Sequence, residues 1–514
     1  MSTVSSLAPD GARVSVRKCE HWAHGVCCAE IFDQEHDGKR YCVLHYPGAE
    51  KSEDFKTALA RKLSAQDFDF EGTWFPEKLS FQEFKFTGKA NFSSARFREV
   101  VDFREAEFSA GADFREAKFS TGADFREAKF SADADFREAK FSAGANFAGA
   151  QFGSATYFAM AHFDANANFR GTQFRAATSF FGTSFRADAV FNYAQFEAPA
   201  TFNVARFSKS ALFTGAVFNA TVYFRKARFK DEDPHRHDDT TADHSIVDSE
   251  TPVSEGRTIP IDFVEARFKD GLAFSGTKFA NRVFMSFASA SVEKPERAVF
   301  HSTSLRPHWF ADIDPRAFSF INVDWGDLLQ WGAVKKEIEQ LKTSKKSNAN
   351  QLLEITFRQL AVNAEENNRF EEATNFRYMA MDVKRLQRRK IDPFRLSWWY
   401  WLLSGYGERV QRAFLALLSI LVLFALAYWA GDAAWWQPKQ SRDLASATTS
   451  EQKFVSQRLA LRESLVYSAG VMALQKPEPL PANKRAKTLV LWETILGPVQ
   501  AALLALAIRR KFMR

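Results

Sequence analysis

Residues 102–145 read DFREAEFSAGA, DFREAKFSTGA, DFREAKFSADA and DFREAKFSAGA, four nearly identical units of eleven residues. The spacing extends in both directions, because Phe recurs at alternating steps of five and six from Phe70 to Phe229. The stretch comprises fourteen periods of eleven plus one step of five, so 30 of the 53 Phe side chains are in register. Such a repeat indicates a solenoid, in which each unit packs only on its neighbours.

The local pattern favours strands over helices. In an eleven-residue helical repeat, Phe residues five apart would lie about 140° apart around the helix, and Gly111, Gly122 and Gly144 would fall in helix interiors. The order small residue, polar residue, Phe instead places small and large side chains on one face of a strand and the charge on the other. The sequence therefore predicts a β-solenoid.

The units ADFRE and EAKFS resemble the pentapeptide-repeat family, with one extra residue after every second unit. The resemblance implies a mainly β fold, a right-handed quadrilateral β-helix in which two of the eleven-residue units supply the four sides of one coil. Every fourth Phe should then stack in the same column, with Phe114 on Phe136 in one column and Phe119 on Phe141 in another.

Charge argues against a nucleic-acid role. The whole chain of 514 residues carries a formal charge of +7, and residues 70–229 contain 20 Lys and Arg against 17 Asp and Glu. Members of the pentapeptide-repeat family that mimic DNA have a strongly negative surface, which this chain lacks. No nucleic-acid partner is predicted.

The repeat has recognisable limits. Residues 51–69 are expected to form a short helical cap, and residues 70–325 the β-helix. An acidic, Pro-containing stretch at 230–260 interrupts the repeat and is predicted to be a disordered insertion. Trp-containing sequence without the repeat, before residue 326, suits a cap over the last coil.

All four Cys residues lie within residues 19–42, followed by His45. Cys19, Cys27 or Cys28, Cys42 and His45 would supply three thiolates and one imidazole, a closed shell typical of structural zinc. Buried reduced thiols or a redox role are the alternatives. The stretch also resembles a short N-terminal element of three cysteines and one histidine found before some pentapeptide repeats, which favours Cys27. Residues 1–50 are thus predicted to be a small zinc-binding element.

Helical periodicity replaces the repeat over residues 326–392. Apolar residues recur every three or four positions in three successive stretches, the last ending before Pro393. Three amphipathic helices forming a connector are predicted.

Residues 393–514 are predicted to be a membrane region. Residues 413–431 contain no charge, and residues 488–508 contain only Glu493, so both stretches could cross a bilayer. Aromatic residues surround the first span, including Tyr428 and Trp436, as in an interfacial belt. A shorter apolar stretch at 454–471 is predicted to be re-entrant.

Basic residues before the first span and after the second predict that both termini are cytoplasmic. Residues 1–18 hold no apolar run typical of a cleavable signal, which agrees. We expect a multi-pass protein of the inner (plasma) membrane.

The tail, from residue 404 to residue 512, also resembles the channel-like region of membrane pentapeptide-repeat proteins. Pore or gating roles would fall to Glu493, Gly497, Pro498 and Gln500, because an ionisable residue within a span is a functional candidate and Gly-Pro can act as a hinge. A potassium filter is absent from its expected place, where the chain reads SAGVMALQKPEP. The only Gly-Tyr-Gly is at 405–407, before the first span.

No phosphate-binding Gly-rich loop or Ser, His, Asp set is evident, so a non-enzyme is predicted. The favoured hypothesis is a channel-like, homo-oligomeric membrane protein whose cytoplasmic solenoid binds or senses a protein partner. The alternative is a membrane-anchored interaction scaffold without ion conduction.

Overall fold

The fold comes from a computed structural model that describes residues 31–230, 259–280, 282–326, 332–343, 348–387, 396–437 and 459–512. It consists of two compact units, residues 1–327 and 328–514. The first unit holds the repeat, and the second holds all but one of the α-helices in the described parts of the chain.

The first unit begins with a two-stranded antiparallel hairpin of β1 (Ile31–His36) and β2 (Lys39–Cys42), followed by helix α1 (Ser52–Ser64). Asp37 and Gly38 both have positive φ at the hairpin turn. Phe55 of α1 packs edge-to-face on Phe75 of the first coil, with ring centroids 5.5 Å apart. The helix therefore lies within the stretch expected to form a cap and contacts the start of the repeat.

The repeat forms a parallel β-solenoid of about ten turns. Each strand pairs with the strand four positions later along the chain, which produces four parallel sheets, named I to IV in the order in which the chain enters them. Partners in neighbouring coils are two repeat units apart, as for Val101 and Ala123. The predicted β-solenoid is confirmed, and its right-handed winding and quadrilateral section stay predictions.

The strands of sheet I are Trp74–Phe75, Arg96–Phe97, Lys118–Phe119, Lys140–Phe141, His162–Phe163, Ser184–Phe185, Arg206–Phe207, Arg228–Phe229 and Lys278–Phe279. Those of sheet II are Leu79–Ser80, Val101–Asp102, Ala123–Asp124, Ala145–Asn146, Ala167–Asn168, Ala189–Val190, Ala211–Leu212, Ile259–Asp262 and Val283–Ser286. Those of sheet III are Lys85–Phe86, Glu107–Phe108, Lys129–Phe130, Gln151–Phe152, Gln173–Phe174, Gln195–Phe196, Val217–Phe218, Arg267–Phe268 and Ser291–Val292. Those of sheet IV are Ala90–Asn91, Ala112–Asp113, Ala134–Asp135, Thr156–Tyr157, Thr178–Ser179, Ala200–Thr201, Val222–Tyr223, Leu272–Ser275, Ala298–His301 and Ser319–Ile321.

The core consists of stacked phenyl rings. Phe114 and Phe136 have ring centroids 4.8 Å apart with planes only 1° from parallel, and Phe119 and Phe141 are 4.6 Å apart. A neighbouring column interdigitates edge-to-face, as Phe125 does with Phe114 at 5.5 Å and 87°. The predicted columns are confirmed, and they exist because each coil returns one Phe to the same place on each side.

The predicted insertion at 230–260 lies almost entirely outside the described residues. On either side of it the ring stacking continues, with Phe224 on Phe274 at 4.7 Å. Strand partners there are much farther apart in sequence than elsewhere in the repeat, as for Ala211 and Ile261. The solenoid therefore keeps its register across the insertion.

The far end of the solenoid is closed by sequence outside the repeat. Short 3-10 helices run over Pro295–Arg297, Pro307–Phe310 and Pro315–Ala317. Phe310 packs on Phe287 of the last coils, and Trp325 packs on Phe320. Aromatic side chains thus cover the open end of the Phe columns.

The second unit is helical, and three of its helices occupy the predicted connector: α2 (Ala333–Thr343), α3 (Ala349–Glu366) and α4 (Phe370–Gln387). A short helix α5 (Leu396–Ser404), which the sequence analysis did not anticipate, comes before α6 (Val410–Ala430). The remaining helices are α7 (Leu461–Met472) and α8 (Lys484–Phe512). Helix α6 begins three residues before the predicted span 413–431 and ends one residue before its end, and α8 extends four residues beyond the predicted span 488–508 at each end.

Candidate functional site

Helices α6, α7 and α8 follow one another along the chain as a long, a short and a long helix. Each of them packs against the other two. Among the described residues, α6 and α8 are the two helices long and apolar enough to cross a membrane. Only 17% of the most apolar stretch of each is buried in the chain, whereas a core helix of a soluble protein would be mostly buried. The α7 helix lies within the limits predicted for the re-entrant segment, except for its last residue, and residues 454–458 of that segment lie outside the described residues.

The buried face of α8 is polar or small. Glu493 and Gln500, seven residues apart, are both fully buried, and Ala486 and Ala507 continue the same face. The outward face is apolar, with Leu491, Trp492, Ile495, Val499 and Ile508 exposed. This distribution is the inverse of a water-soluble helix and is what lipid surroundings require.

Both oxygens of the Glu493 carboxylate are hydrogen-bonded inside the chain. The Tyr428 hydroxyl of α6 donates to Oε2 at 2.5 Å, and the Ser468 hydroxyl of α7 contacts Oε1. Ser468 also lies 3.1 Å from the Leu421 carbonyl oxygen of α6. One acidic side chain therefore ties all three helices together.

An aromatic cluster borders this carboxylate. Tyr428, Trp436 and Tyr467 are buried, and the ring of Tyr467 lies 5.0 Å from each of the other two. The expectation that Tyr428 and Trp436 form part of an interfacial belt is therefore wrong, because both rings fill the space between the helices. Trp429 is half-exposed, as a belt residue would be.

The other candidate pore residues also contact their own chain. Gln500 Nε2 donates to the carbonyl oxygens of Ala413 at 2.8 Å and Leu403 at 3.1 Å. Gly497 lies so close to α7 that a Cβ there would be 2.8 Å from Cγ of Met472. Pro498 follows inside α8, which continues through it without interruption. Gln500 and Gly497 thus connect α8 to other parts of the chain, and a role in permeation stays a prediction for all four residues.

The partners Tyr428 and Ser468 were missed from the sequence. Tyr428 resembled a belt residue, and Ser468 is one of several small residues in α7. Both partners are hydroxyl residues on helices that pack beside a buried acidic residue, and this pattern is the signal that could have identified them. Using it requires knowing which faces of the helices meet.

Of the predicted metal ligands, Cys42 and His45 are described, and Cys19 and Cys27 lie outside the described residues. Cys42 is buried, and its Sγ lies 3.1 Å from Nδ1 of His45. Nε2 of His45 lies 2.8 Å from the carbonyl oxygen of Glu71, which can only accept, so Nε2 carries the hydrogen. The lone pair of Nδ1 therefore points towards the thiol, an arrangement that suits two neighbouring zinc ligands with a carbonyl behind the imidazole.

Two solenoid faces differ sharply in charge. On sheet III, Lys85 and Lys129 flank Glu107 at 3.1 and 3.2 Å, and these hydrogen bonds lower the pKa of Glu107. On sheet I the outward positions are basic in most coils: Arg96, Lys118, Lys140, Arg206, Arg228 and Lys278. Repulsion from Arg96, together with burial and Lys140, lowers the pKa of Lys118. Sheet III thus has one carboxylate against three cations at its outward strand positions (Lys85, Lys129 and Arg267), whereas sheet I has six cations and no carboxylate there.

The sequence matches a family model described as pentapeptide repeats (9 copies), over residues 81–126 and 114–159. No curated protein and no solved structure matches the chain. Residues 81–159 therefore contain pentapeptide repeats. Together with the two long apolar helices, the solenoid fits a membrane-associated repeat protein.

Proposed function

We propose that the chain is an integral protein of the inner (plasma) membrane, in which α6 and α8 span the bilayer and both termini are cytoplasmic. The observation that carries this proposal is the inverted distribution on α8, with Glu493 and Gln500 inside and Leu491, Trp492 and Val499 outside. In a bilayer, the outward apolar face of α8 would contact lipid and not water, and the inward polar groups would keep their hydrogen-bond partners.

Membrane integration and topology are testable together. The protein should stay in the membrane fraction after washing at alkaline pH, which releases peripheral proteins. Reporter fusions at Met1 and Arg514 should indicate cytoplasm, and a fusion at Ala447 the opposite side. Release by the alkaline wash would reject spanning, and opposite signals from the two ends would leave only one span.

We further propose that the solenoid is a non-enzymatic docking platform for a protein partner with an acidic surface. The unbalanced cations of sheet I support this, since an anionic partner would relieve the repulsion that lowers the pKa of Lys118. Lys140, Arg228 and Lys278 are exposed on that face. The Lys–Glu–Lys pairing of sheet III offers no such gain.

A labelled poly-glutamate peptide is a suitable probe for this face. The double variant Lys118→Gln, Lys140→Gln should weaken binding and its salt dependence. The matched control is Lys85→Gln, Lys129→Gln, which removes two lysines at equivalent strand positions on sheet III and should leave binding unchanged. If both variants lost the same amount of binding, the peptide would be responding to the net charge of the protein and not to the face formed by sheet I.

A channel-like homo-oligomer is the second candidate, favoured by the packing of short α7 against two long apolar helices of the same chain. The scaffold is preferred because Glu493, Gly497 and Gln500 are engaged within the chain. Purified protein reconstituted in bilayers tests this: Glu493→Gln removes the charge at nearly constant shape and should change conductance only in a channel. Ion flux in the wild type that depends on Glu493 would replace the scaffold by the channel.

We also propose one structural zinc bound by Cys19, Cys27, Cys42 and His45. The Sγ and Nδ1 atoms of the last two already lie side by side. A bound zinc would hold the N-terminal element together and supply no catalysis, because the shell is closed. Elemental analysis should find one zinc per chain, lost in Cys42→Ser, while Cys28→Ser retains it. Retention of zinc in Cys42→Ser, or loss of zinc in Cys28→Ser, would contradict the proposed set of ligands.

A further inference from the structure

A cavity of about 400 Å³ lies within the helical unit, between the connector helices and the ends of the membrane helices. Its volume is in the range of small-molecule sites, which is roughly 300–1,000 Å³. The polar side chains that line it are Arg358 of α3, Arg377 of α4, Tyr400 of α5, Tyr406 and Glu408 of the loop before α6, and Arg510 of α8.

Cations outnumber anions on the cavity wall. Three guanidinium groups line it and Glu408 is the only carboxylate among the lining residues. Glu408 is engaged, because its Oε1 lies 3.2 Å from Nη1 of Arg510. The carboxylates that pair with Arg358 and Arg377 do not line the cavity.

One guanidinium nitrogen of the cavity-lining arginines has no hydrogen-bond partner. Arg377 uses Nη2 to bind Glu365, but its Nη1 is buried and has no hydrogen-bond partner. A buried donor without a partner is costly, and a bound acceptor would remove that cost.

The loop that forms one side of the cavity has an uncommon backbone. Gly405, Tyr406 and Gly407 have φ values of 55°, 61° and 73°, three consecutive residues in the left-handed region. A Cβ at Gly407 would lie 2.7 Å from the Tyr400 hydroxyl and 3.3 Å from Nη1 of Arg510, so only glycine allows this approach. This is the Gly-Tyr-Gly motif that cannot serve as an ion filter.

The turn places Tyr406 in the wall of the cavity. The side chain is only 3% exposed, and its hydroxyl lies next to Arg385 without a hydrogen bond of normal geometry. Its backbone carbonyl accepts a hydrogen bond from Arg510 at 3.1 Å. A strained loop whose backbone comes this close to the Arg510 guanidinium is typical of a functional site.

We infer that this cavity binds a phosphate group, carried either by an anionic lipid headgroup or by a soluble phosphate compound. Three guanidinium groups line the cavity, and guanidinium forks match the oxygens of phosphate. The lipid source rests on the proposed membrane function, because only then do the ends of α5 and α8 lie at the bilayer surface. The soluble source does not depend on it.

The full chain purified in neutral detergent distinguishes the two sources. Calorimetric titration with inorganic phosphate tests the soluble one. Native mass spectrometry, with phosphatidylglycerol against phosphatidylcholine in the micelle, tests the lipid one. Binding of phosphate assigns a soluble ligand, and selective retention of phosphatidylglycerol alone assigns the headgroup.

Three variants locate the site. Arg377→Gln should weaken the dissociation constant roughly 10- to 100-fold, because it removes charge-assisted hydrogen bonds. Arg358→Gln removes a second guanidinium from the cavity wall and should weaken the dissociation constant roughly 2- to 10-fold. Because the Arg358 side chain is 57% exposed, this variant should fold and decides the matter if the first variant misfolds. Arg509→Gln removes the same charge from the exposed neighbour of Arg510, outside the cavity wall, and should have no effect.

Binding of neither probe by the wild type would overturn the inference. So would an Arg509→Gln loss as large as that of Arg377→Gln. Either result leaves the alkaline wash and topology experiments unaffected, so failure of this site and failure of the membrane proposal can be told apart.

Discussion

The solenoid and the α6–α8 bundle use opposite arrangements to satisfy the same physical requirement. The solenoid buries Phe columns and exposes charges, whereas the bundle buries Glu493, Ser468 and Gln500 and exposes leucine and tryptophan. In the solenoid, stability comes from removing apolar surface from water. In the bundle, the large apolar side chains lie outside, and the helices are joined by close packing and interior hydrogen bonds. The comparison teaches that two parts of one chain can bury opposite kinds of side chain and be held together by different interactions.

The largest effect should come from removing one ring from a Phe column. Phe180→Ala should lower the free energy of unfolding by about 3–5 kcal/mol, because Phe180 is fully buried between Phe158 and Phe202. Phe181→Ala is the matched control: its neighbouring ring is 44% exposed, and the cost should stay below about 1 kcal/mol. Denaturant unfolding followed by circular dichroism measures both, and similar costs would contradict the columnar core.

In the bundle, the effect of replacing Glu493 should come from lost hydrogen bonds, whereas in the solenoid it comes from lost packing. Glu493→Leu leaves the Tyr428 hydroxyl without its acceptor, at about 1–3 kcal/mol, whereas the Ser468 hydroxyl keeps the Leu421 carbonyl oxygen. Glu493→Gln keeps one acceptor oxygen and should cost clearly less. Unfolding of the reconstituted protein by a denaturing detergent measures the difference. A bundle indifferent to both changes would mean that these hydrogen bonds do not hold the helices together.

The two regions should also differ in their tolerance of a methyl group at glycine. Gly497→Ala brings a Cβ to 2.8 Å from Cγ and 3.1 Å from Cα of Met472, so α7 must shift, at about 1–3 kcal/mol. Gly122→Ala on the solenoid surface meets only the Gly144 carbonyl oxygen at 3.8 Å and should change stability by less than about 0.5 kcal/mol. Thermal unfolding of the two variants tests the contrast, which would disappear if α7 and α8 were not in close contact.

The smallest effect concerns surface charge. Hydrogen bonding from Arg104 lowers the pKa of Asp102, so this pair contributes stability above the ordinary pKa of Asp, about 3.9, and loses it as pH falls through the lowered value. Asp102→Asn should cost less than about 1 kcal/mol at neutral pH, because the pair is partly exposed. The difference between the two proteins should vanish in acid. Asn146 and Asn168 already occupy this column, which indicates that the fold accepts the replacement.

The regular part of the fold could be predicted because one short-range rule repeats. The spacing of Phe determines which rings meet in every coil, so the columns of Phe114 and Phe119 followed from counting. The interior of the bundle could not be predicted in the same way. The pairing of Glu493 with Tyr428 joins residues 65 apart, and no periodicity relates them. Helix α5 and the left-handed turn at 405–407 were missed because aromatic-rich sequence before a span also suits an interfacial belt.

The half-coil size of the repeat unit limits how the gene for this protein can change in length. One unit advances the chain by half a coil, so Asp102 lies on sheet II and Asp113 on sheet IV, and only after a second unit does the chain return to the same sheet. One unit could be lost by recombination between nearly identical copies. Every later strand of sheet I would then lie in sheet III, and every later strand of sheet III in sheet I. The basic column would then be divided between two faces at the deletion. Loss or gain of paired units would shorten or lengthen the solenoid and leave each face intact.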